Sequence, residues 1–183
     1  MVIRMKRILK EILSTSLYLL VVLCLTYVII HFVGQRTQVV GSSMETTLSD
    51  NDNLIVDKIT YRFSDPKRFD IVVFPYQYAK DTFYIKRIIG LPGETVYIDE
   101  NGVIYIDGEM LQENYGKEII LSAGLANEPI TLGDDEYFVM GDNRNNSSDS
   151  RDPEVGNISR DDIIGRAWIR IWPLDKFGIL KHQ

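Results

Sequence analysis

The strongest constraint on this sequence is an uninterrupted apolar stretch near its start. From Ile12 to Val33 the chain has 22 residues, of which 17 are apolar and none is Lys, Arg, Asp or Glu. At about 1.5 Å per residue, a helix of this length reaches roughly 33 Å, which matches a bilayer hydrocarbon core of about 30 Å. A helix that is apolar on every face does not suit the core of a small domain. The sequence therefore predicts one membrane-spanning helix.

The flanks of this stretch indicate a retained anchor and its orientation. A cleaved signal peptide has an apolar region of about 7–15 residues followed by small residues, and this stretch is longer and lacks such a site. Residues 1–11 hold four basic residues and one acidic residue, so the positive-inside rule predicts a cytoplasmic N-terminus. We therefore expect a cytoplasmic segment over 1–11, a signal anchor over 12–33 and an extracytoplasmic domain over 34–183.

The charge and cysteine content exclude several classes of function. The net charge is −6; residues 1–11 contribute +3 and residues 12–34 contribute none, so residues 35–183 carry −9. Phosphate contacts need clustered Lys and Arg, and therefore nucleic acid is not an expected partner. Cys24 is the one cysteine, which excludes a disulfide scaffold and a thiolate zinc site.

The residues after the anchor predict a mainly β domain. Short β-rich runs separated by turn residues occur at Asn53–Tyr61, Asp70–Phe74, Thr82–Ile89, Glu94–Ile98, Val103–Ile106, Glu136–Met140 and Ile163–Ile171. Asn101-Gly102 is typical of a two-residue hairpin with a type I′ turn. Hairpin spacing without helical crossovers predicts an antiparallel sheet or a partly open barrel. Residues 108–134 are rich in Gly, Glu and Asn and predict a less regular excursion from the sheet.

The histidine content limits the catalytic chemistry that this domain could carry. His31 lies in the apolar stretch, near its outer end, where it suits the membrane interface, and His182 is the penultimate residue. A Ser-His-Asp or Cys-His enzyme needs an imidazole within its folded domain. A nucleophilic enzyme built on this chain would instead pair serine or threonine with a lysine that is desolvated enough to be neutral.

Serines and lysines suited to such a pair occur at separate places. The serines at 42 and 43 follow Gly41, which permits a tight turn that exposes a hydroxyl and a backbone N–H together. In FYIKRII, strand alternation puts Tyr84 and Ile88 on the face of Lys86, and such apolar flanks would lower its pKa. Lys58, beside an aspartate in IVDKITY, is a rival. The pattern alone leaves both lysines open, since each could extend from an edge strand into solvent.

An eleven-residue polar loop, GDNRNNSSDSR, covers residues 141–151. Counted from Asp142 as position 1, the loop has Arg144 at position 3, no glycine at position 6 and no glutamate at position 12, which excludes a calcium loop. Two arginines among aspartates and asparagines predict internal salt bridges, and a rigid loop of this kind could hold a lysine in place.

These stretches, in this order behind a single anchor, resemble those of the bacterial type I signal peptidases. GSSMETTL resembles the family's nucleophile box, S-M-x-P-T-L, and points to Ser43. FYIKRIIGLPGE resembles the box of the lysine general base, which selects Lys86. The polar loop resembles the box G-D-N-R-x-N-S-x-D-S-R, in which Ser147 would orient the lysine while Asp149 and Arg151 brace the loop.

The resemblance implies an activity and its partners. It implies a membrane-bound serine endopeptidase that cleaves signal peptides from exported preproteins after small residues, through an acyl-enzyme. Gly41 and Ser42 would form the oxyanion region beside the Ser43 backbone N–H. No metal ion or cofactor is implied. Partners would be signal peptides, the lipid bilayer and, transiently, the export machinery.

Several positions depart from the family pattern, and two alternative functions stay open. Thr46 replaces the usual proline, Phe69 replaces a glycine before an aspartate, and Asn145 occupies an often acidic place. Gly41 lies where some relatives supply a serine hydroxyl. One alternative is a LexA-like self-cleaving protein, which would be cytoplasmic and lack this anchor. The other is a non-catalytic or degenerate anchored β-domain.

Overall fold

A computed structural model describes residues 2–28, 34–79 and 82–181 of the chain, so His31 and His182 lie outside the described residues. Within these residues there is one α-helix, α1, which runs from Val2 to Val28. Its part from Arg4 to Val28 is long and apolar enough to cross a membrane, and none of its apolar window is buried against the rest of the chain. The basic residues thus lie on the same continuous helix as residues 12–28 of the apolar stretch.

The remainder of the described chain is built from short strands. They are β1 Gly34–Gln38, β2 Asn53–Asp57, β3 Ile71–Pro75, β4 Phe83–Gly90, β5 Thr95–Ile98, β6 Ile104–Ile106, β7 Glu109–Met110, β8 Ile130–Thr131, β9 Glu136–Met140, β10 Ile158–Ser159, β11 Gly165–Trp172 and β12 Gly178–Ile179. Short 3-10 helices occur at Thr60–Arg62, Gly124–Asn127, Arg160–Asp162 and Leu174–Lys176. The strand predicted for Asn53–Tyr61 is therefore too long, because Asp57 accepts hydrogen bonds from the N–H groups of Ile59 and Thr60 and turns the chain.

Two antiparallel sheets form the domain, which confirms the mainly β prediction. The larger sheet has the order β1-β2-β11-β3-β4-β9-β10, with β12 paired to β11. The smaller sheet has the order β7-β6-β5-β8. Neither sheet closes on itself within the described part of the chain, so the open form of the predicted architecture is the one observed.

The hairpin of β5 and β6 is confirmed, but its predicted turn is wrong. Strand pairing ends at Ile98 and Ile104, and one further bond, from the N–H of Asp99 to Val103 O at 3.0 Å, leaves residues 100–102 as the loop. The N–H of Gly102 donates to Asp99 O at 3.0 Å. Gly102 alone supplies a positive φ, of 75°, as the last residue of a three-residue loop. This is the type I turn followed by a left-handed residue that three-residue hairpins favour. The Asp99 carboxylate, which accepts from the N–H groups of Asn101 and Val103, stabilises the longer loop.

Strand β4 positions the functional residues because it lies inside the larger sheet. It pairs with β3 along Phe83–Arg87 and with β9 from Arg87 onward. Residues 85–90 are all buried, so the polar side chains of this strand are enclosed on both faces of the sheet. Ile85 joins a buried cluster with Met44 and Leu48, which fastens the turn at residues 42–48 against the strand.

Candidate active site

A tight turn after β1 presents Ser43. The N–H of Glu45 donates to Ser42 O at 3.1 Å, and the N–H of Leu48 donates to Met44 O at 2.8 Å. Met44 and Leu48 are buried in the core, whereas the neighbouring Ser43 is only half-buried. Gly41 enters the turn with φ 92°, a conformation that favours glycine. The two buried side chains therefore hold the backbone of the turn in place, and the turn exposes the Ser43 hydroxyl.

The structure brings Lys86 to this hydroxyl. Lys86 is 3% exposed, and its Nζ donates to Ser43 Oγ at 2.8 Å and to Ile85 O at 3.1 Å. The Tyr84 ring lies on the same face, with its centroid 4.9 Å from Nζ, as strand alternation predicts. Lys58 makes no hydrogen bond to Ser43 among the described contacts. A hydroxyl and an amine are thus within proton-transfer distance.

Burial changes the protonation of this amine. Desolvation lowers the pKa of Lys86 from 10.5 to about 8, while the negative charges of Asp149 and Asp142 act in the opposite direction. At neutral pH a lysine of ordinary pKa is almost entirely protonated and cannot accept a proton. The lowered pKa therefore makes a useful fraction of Lys86 neutral.

Two bidentate arginine–carboxylate pairs surround the lysine. Arg87 donates from Nε and Nη2 to Asp142 at 2.8 and 2.7 Å, with both side chains fully buried. Arg151 donates from Nε and Nη2 to Asp149, at 2.8 Å each. Asp142 and Asp149, the two carboxylates whose negative charges favour the protonated lysine, are therefore each paired with an arginine. The pairing of Asp149 with Arg151 is the contact that the family resemblance implies for bracing the loop.

The polar loop is tied directly to the serine turn. The N–H of Asn143 donates to Ser43 O at 3.0 Å, and its Nδ2 donates to Ser42 O at 3.1 Å. Asn146 Nδ2 donates to Ser42 Oγ at 2.8 Å. Gly141 allows this approach, because a Cβ there would lie 2.4 Å from Ser43 O. The loop thus fixes the backbone on which the nucleophile candidate sits.

Ser147 differs from what the resemblance implies. Its Oγ is buried and has no hydrogen-bond partner among the described residues, so the expected bond to Lys86 is not formed here. Ser147 does line the same cleft as Lys86 and Ser43. A buried hydroxyl without a partner is costly and is a feature of functional sites. The structure therefore brings Ser147 into the site without the orienting contact.

One backbone donor is free to stabilise negative charge at Ser43. The N–H of Gly41 donates to Asp50 Oδ1 at 2.8 Å and is already occupied. The hydroxyl of Ser42 accepts from Asn146. In contrast, the N–H of Ser43 meets no acceptor within the described part of the chain. The Ser43 N–H is therefore an available backbone donor in the predicted oxyanion region, whereas that of Gly41 is not.

The two departures at positions 69 and 145 have structural explanations. Phe69 has φ 70°, which is unfavourable for a bulky residue, but its ring packs 5.3 Å from Tyr115 and its carbonyl accepts from Arg87 Nη1 at 2.8 Å. Asn145 accepts at Oδ1 from the N–H of residue 121 and donates from Nδ2 to Ile119 O, each at 2.9 Å. A carboxylate could make only the first of these bonds. At Thr46, the structure offers no explanation for the replaced proline.

A cleft of about 760 Å³ opens over the two candidate residues. Its walls are residues 37–44, residues 82–86 and residues 145–148. Within the described residues, the part of β4 that precedes Arg87 pairs only with β3, so one edge of this strand faces the cleft without a partner strand. An extended peptide could pair with that edge.

Sequence reasoning missed several residues of the site. Arg87, Asn143 and Asn146 were not singled out, although each contacts the candidate residues or their loop. The sequence does contain an indication that Arg87 is buried and paired, since two adjacent cations inside one apolar strand cannot both reach solvent and a buried charge needs a partner. It contains no such indication for the two asparagines, because their partners lie about a hundred residues away along the chain.

Comparisons with known proteins agree on one family. The family described as "Signal peptidase, peptidase S26" matches residues 11–172. A probable signal peptidase I-2 of Synechocystis sp. is 46% identical over 157 residues, which cover 81% of this chain and 68% of the relative. A signal peptidase I of Leptolyngbya laminosa is 43% identical, covering 81% and 74%. Signal peptidase I P of Bacillus subtilis subsp. natto is 38% identical, covering 86% and 88%.

Proposed function

Because the chain belongs to the signal peptidase family, peptidase S26, and is a serine endopeptidase that cleaves signal peptides, we propose that Ser43 is its nucleophile and Lys86 its general base. The observation that carries this assignment is the 2.8 Å contact between the buried Nζ of Lys86 and Ser43 Oγ. The lowered pKa of Lys86 supports it, because the base must be neutral to accept a proton.

The proposed reaction proceeds through an acyl-enzyme. Ser43 Oγ attacks the scissile carbonyl carbon while Lys86 Nζ takes the hydroxyl proton. The C–N bond then breaks as the lysine gives this proton to the leaving amine, which leaves an ester on Ser43. Water attacks the ester while Lys86 accepts its proton. The C–O bond to Ser43 then breaks as the lysine returns this proton to Ser43 Oγ, which releases the acid product and restores the serine. The Ser43 N–H would stabilise the oxyanion, a type of contact worth about 10²–10³ in rate elsewhere.

The proposed substrate binds as an added strand in the cleft. The unpaired edge of β4 at residues 83–86 supports this binding mode, since its backbone groups can pair with an extended segment that ends at Ser43. From the family resemblance we propose small residues, such as alanine, at one and three positions before the cut. Ser147 would orient Lys86 once the cleft is occupied, and Asp149 and Arg151 would hold the loop.

The experiment that tests the dyad uses the full chain and a preprotein substrate. We expect Ser43→Ala and Lys86→Ala to abolish cleavage, and Lys58→Ala to retain it as the matched lysine control. Activity in either of the first two variants would contradict the assignment. A wild-type chain with no activity on any preprotein would instead favour a non-catalytic domain. Family membership already argues against the LexA-like alternative.

We propose the orientation as well as the chemistry. The four basic residues before the apolar stretch support a cytoplasmic segment over 1–11, an anchor over 12–33 and an extracytoplasmic catalytic domain over 34–183. From the family resemblance we also propose transient contact with the export machinery. Protease added outside spheroplasts should digest residues beyond 36 and leave the first eleven protected. The reverse pattern would contradict the orientation without bearing on the dyad.

A further inference from the structure

A short extended segment outside the three motifs lies behind the active site. We call residues Glu113–Lys117 the strap; it has no regular secondary structure and follows the smaller sheet's β7. Glu113 and Tyr115 are half-buried, while Asn114 and Gly116 are exposed. This alternation is typical of an extended chain with one face turned inward. The inward face of the strap therefore presents a carboxylate and an aromatic ring.

The ring of the strap rests on the arginine next to the proposed base. The guanidinium carbon of Arg87 lies 3.6 Å from the Tyr115 ring centroid, and Phe69 packs on Tyr115 at 5.3 Å. The guanidinium is fully buried between this ring, Asp142 and the Phe69 carbonyl. A desolvated cation over an aromatic face is the stronger form of this contact. Tyr115 thus completes the enclosure of the residue that follows Lys86 in β4.

The rest of the strap contacts the other two motifs. Glu113 accepts from Nη1 and Nη2 of Arg144 at 2.7 and 2.9 Å, and Arg144 is 3% exposed. The N–H of Lys117 donates to Asp142 O at 3.0 Å, and its Nζ lies 3.2 Å from a carboxylate oxygen of Glu45. The strap therefore touches the polar loop, the lysine strand and the serine turn.

We infer that the strap sets the relative positions of the serine and the lysine, and that Tyr115 is a positioning residue for Lys86. This inference rests on the proposed dyad. Lys86 and Arg87 are adjacent on one strand. If the Tyr115 ring is lost, the Arg87 guanidinium loses its support and moves, and this movement shifts the strand backbone that also carries Lys86. A misplacement of reacting groups by about 1 Å can lower the rate about 100-fold. The strap does not line the cleft, so substrate binding should not depend on it.

The test compares steady-state cleavage of one preprotein by full-length variants in detergent micelles. We expect Tyr115→Leu to lower kcat about 3- to 30-fold and to leave KM within about two-fold, because a displacement of the base by a fraction of an ångström should cause part of the roughly 100-fold loss that a misplacement of about 1 Å can cause. Tyr115→Phe keeps the ring face and should restore kcat. Tyr97→Leu, which removes a ring from the smaller sheet, is the matched control and should leave both parameters unchanged.

The outcomes separate this inference from the proposed function. A folded Tyr115→Leu variant with unchanged kcat, or an equal loss of kcat in Tyr115→Phe, would overturn the role of the ring. If Tyr115→Leu has no cooperative melting transition, and so does not fold, the Glu113→Gln variant tests the strap instead. We expect Glu113→Gln to have a lower kcat and an unchanged KM. A kcat equal to that of the parent would overturn the inference. Activity in Ser43→Ala would refute the dyad itself, whereas an inactive Ser43→Ala beside a fully active Tyr115→Leu would refute the strap alone.

Discussion

Replacing Lys86 with methionine should abolish cleavage and yet stabilise the folded chain at neutral pH. The folded pKa of Lys86 is about 8, below the ordinary value of 10.5 that the unfolded chain would have. Between these values the unfolded chain binds more protons, so stability rises as the pH rises from about 8 to 10.5. Below pH 8 the full cost of burying the amine remains. Methionine has a similar length and carries no such cost.

The magnitude follows from the separation of the two pKa values. They differ by about 2.5, and each pH unit corresponds to about 1.4 kcal/mol, so burial of the amine costs about 3 kcal/mol at pH 7. Methionine also loses the bonds that Lys86 donates to Ser43 Oγ and Ile85 O, at about 1 kcal/mol each. The net stabilisation at pH 7 is therefore about 1 kcal/mol. The bond losses are constant with pH, so the difference between variant and parent should change by about 3 kcal/mol from pH 7 to 10.5.

Urea unfolding of the full chain in micelles, followed by tryptophan fluorescence at several pH values, measures this difference. Ser43→Ala is the matched control, because it removes a partner of the amine but keeps the buried amine itself. Its free energy of unfolding should retain the parental pH dependence. A gap between Lys86→Met and the parent that stays constant from pH 7 to 10.5 would refute the argument, since the amine would then titrate equally in the folded and unfolded chains.

Further predictions concern rate and packing. The kcat/KM of the parent should fall about tenfold per pH unit below about pH 8, because only neutral Lys86 accepts a proton; a flat profile from pH 6 to 8 would count against this base. Gly141→Ala should lower kcat by about 100-fold, since its Cβ would lie 2.3 Å from Ser147 Oγ, and unchanged steady-state kinetics would disprove the close approach. Asn145→Asp should lose about 1 kcal/mol of stability in urea unfolding, because a carboxylate cannot donate to Ile119 O; an unchanged midpoint would contradict this.

The parts of the fold and site that the sequence predicts are those governed by local pattern. Alternation in FYIKRII placed Lys86 on the face of Tyr84, and the structure shows that ring beside the amine. The β5–β6 hairpin was also predicted, but its turn was not. The Asp99 carboxylate accepts hydrogen bonds from the N–H groups of Asn101 and Val103 and so stabilises a loop of three residues. The dipeptide Asn101-Gly102 alone predicts a loop of two residues, because it does not include this contact.

The parts that the sequence did not predict depend on contacts between distant segments. Tyr115 lies in a stretch that the sequence predicts only as irregular. Its ring contacts Arg87, which is 28 residues earlier in the chain. Phe69 looked like a defect where relatives have glycine, although the same tyrosine packs against its ring. No periodicity in a single sequence encodes such a stack of three side chains, because each of them comes from a different segment.

The open edge of β4 creates a conflict between solubility and activity. Natural sheets protect their edges with charges, prolines, bulges or covering segments, because an unpaired edge invites aggregation with any extended chain. Among the described residues, 83–86 have no partner strand on one edge, beside Ser43, and Lys86, the charged residue that could have protected this edge, is buried against the serine instead. Extending the pairing of β9 along β4 would protect the edge and close the cleft. An engineered, more soluble form of this domain would therefore need its added charges elsewhere, on strands that no peptide has to join.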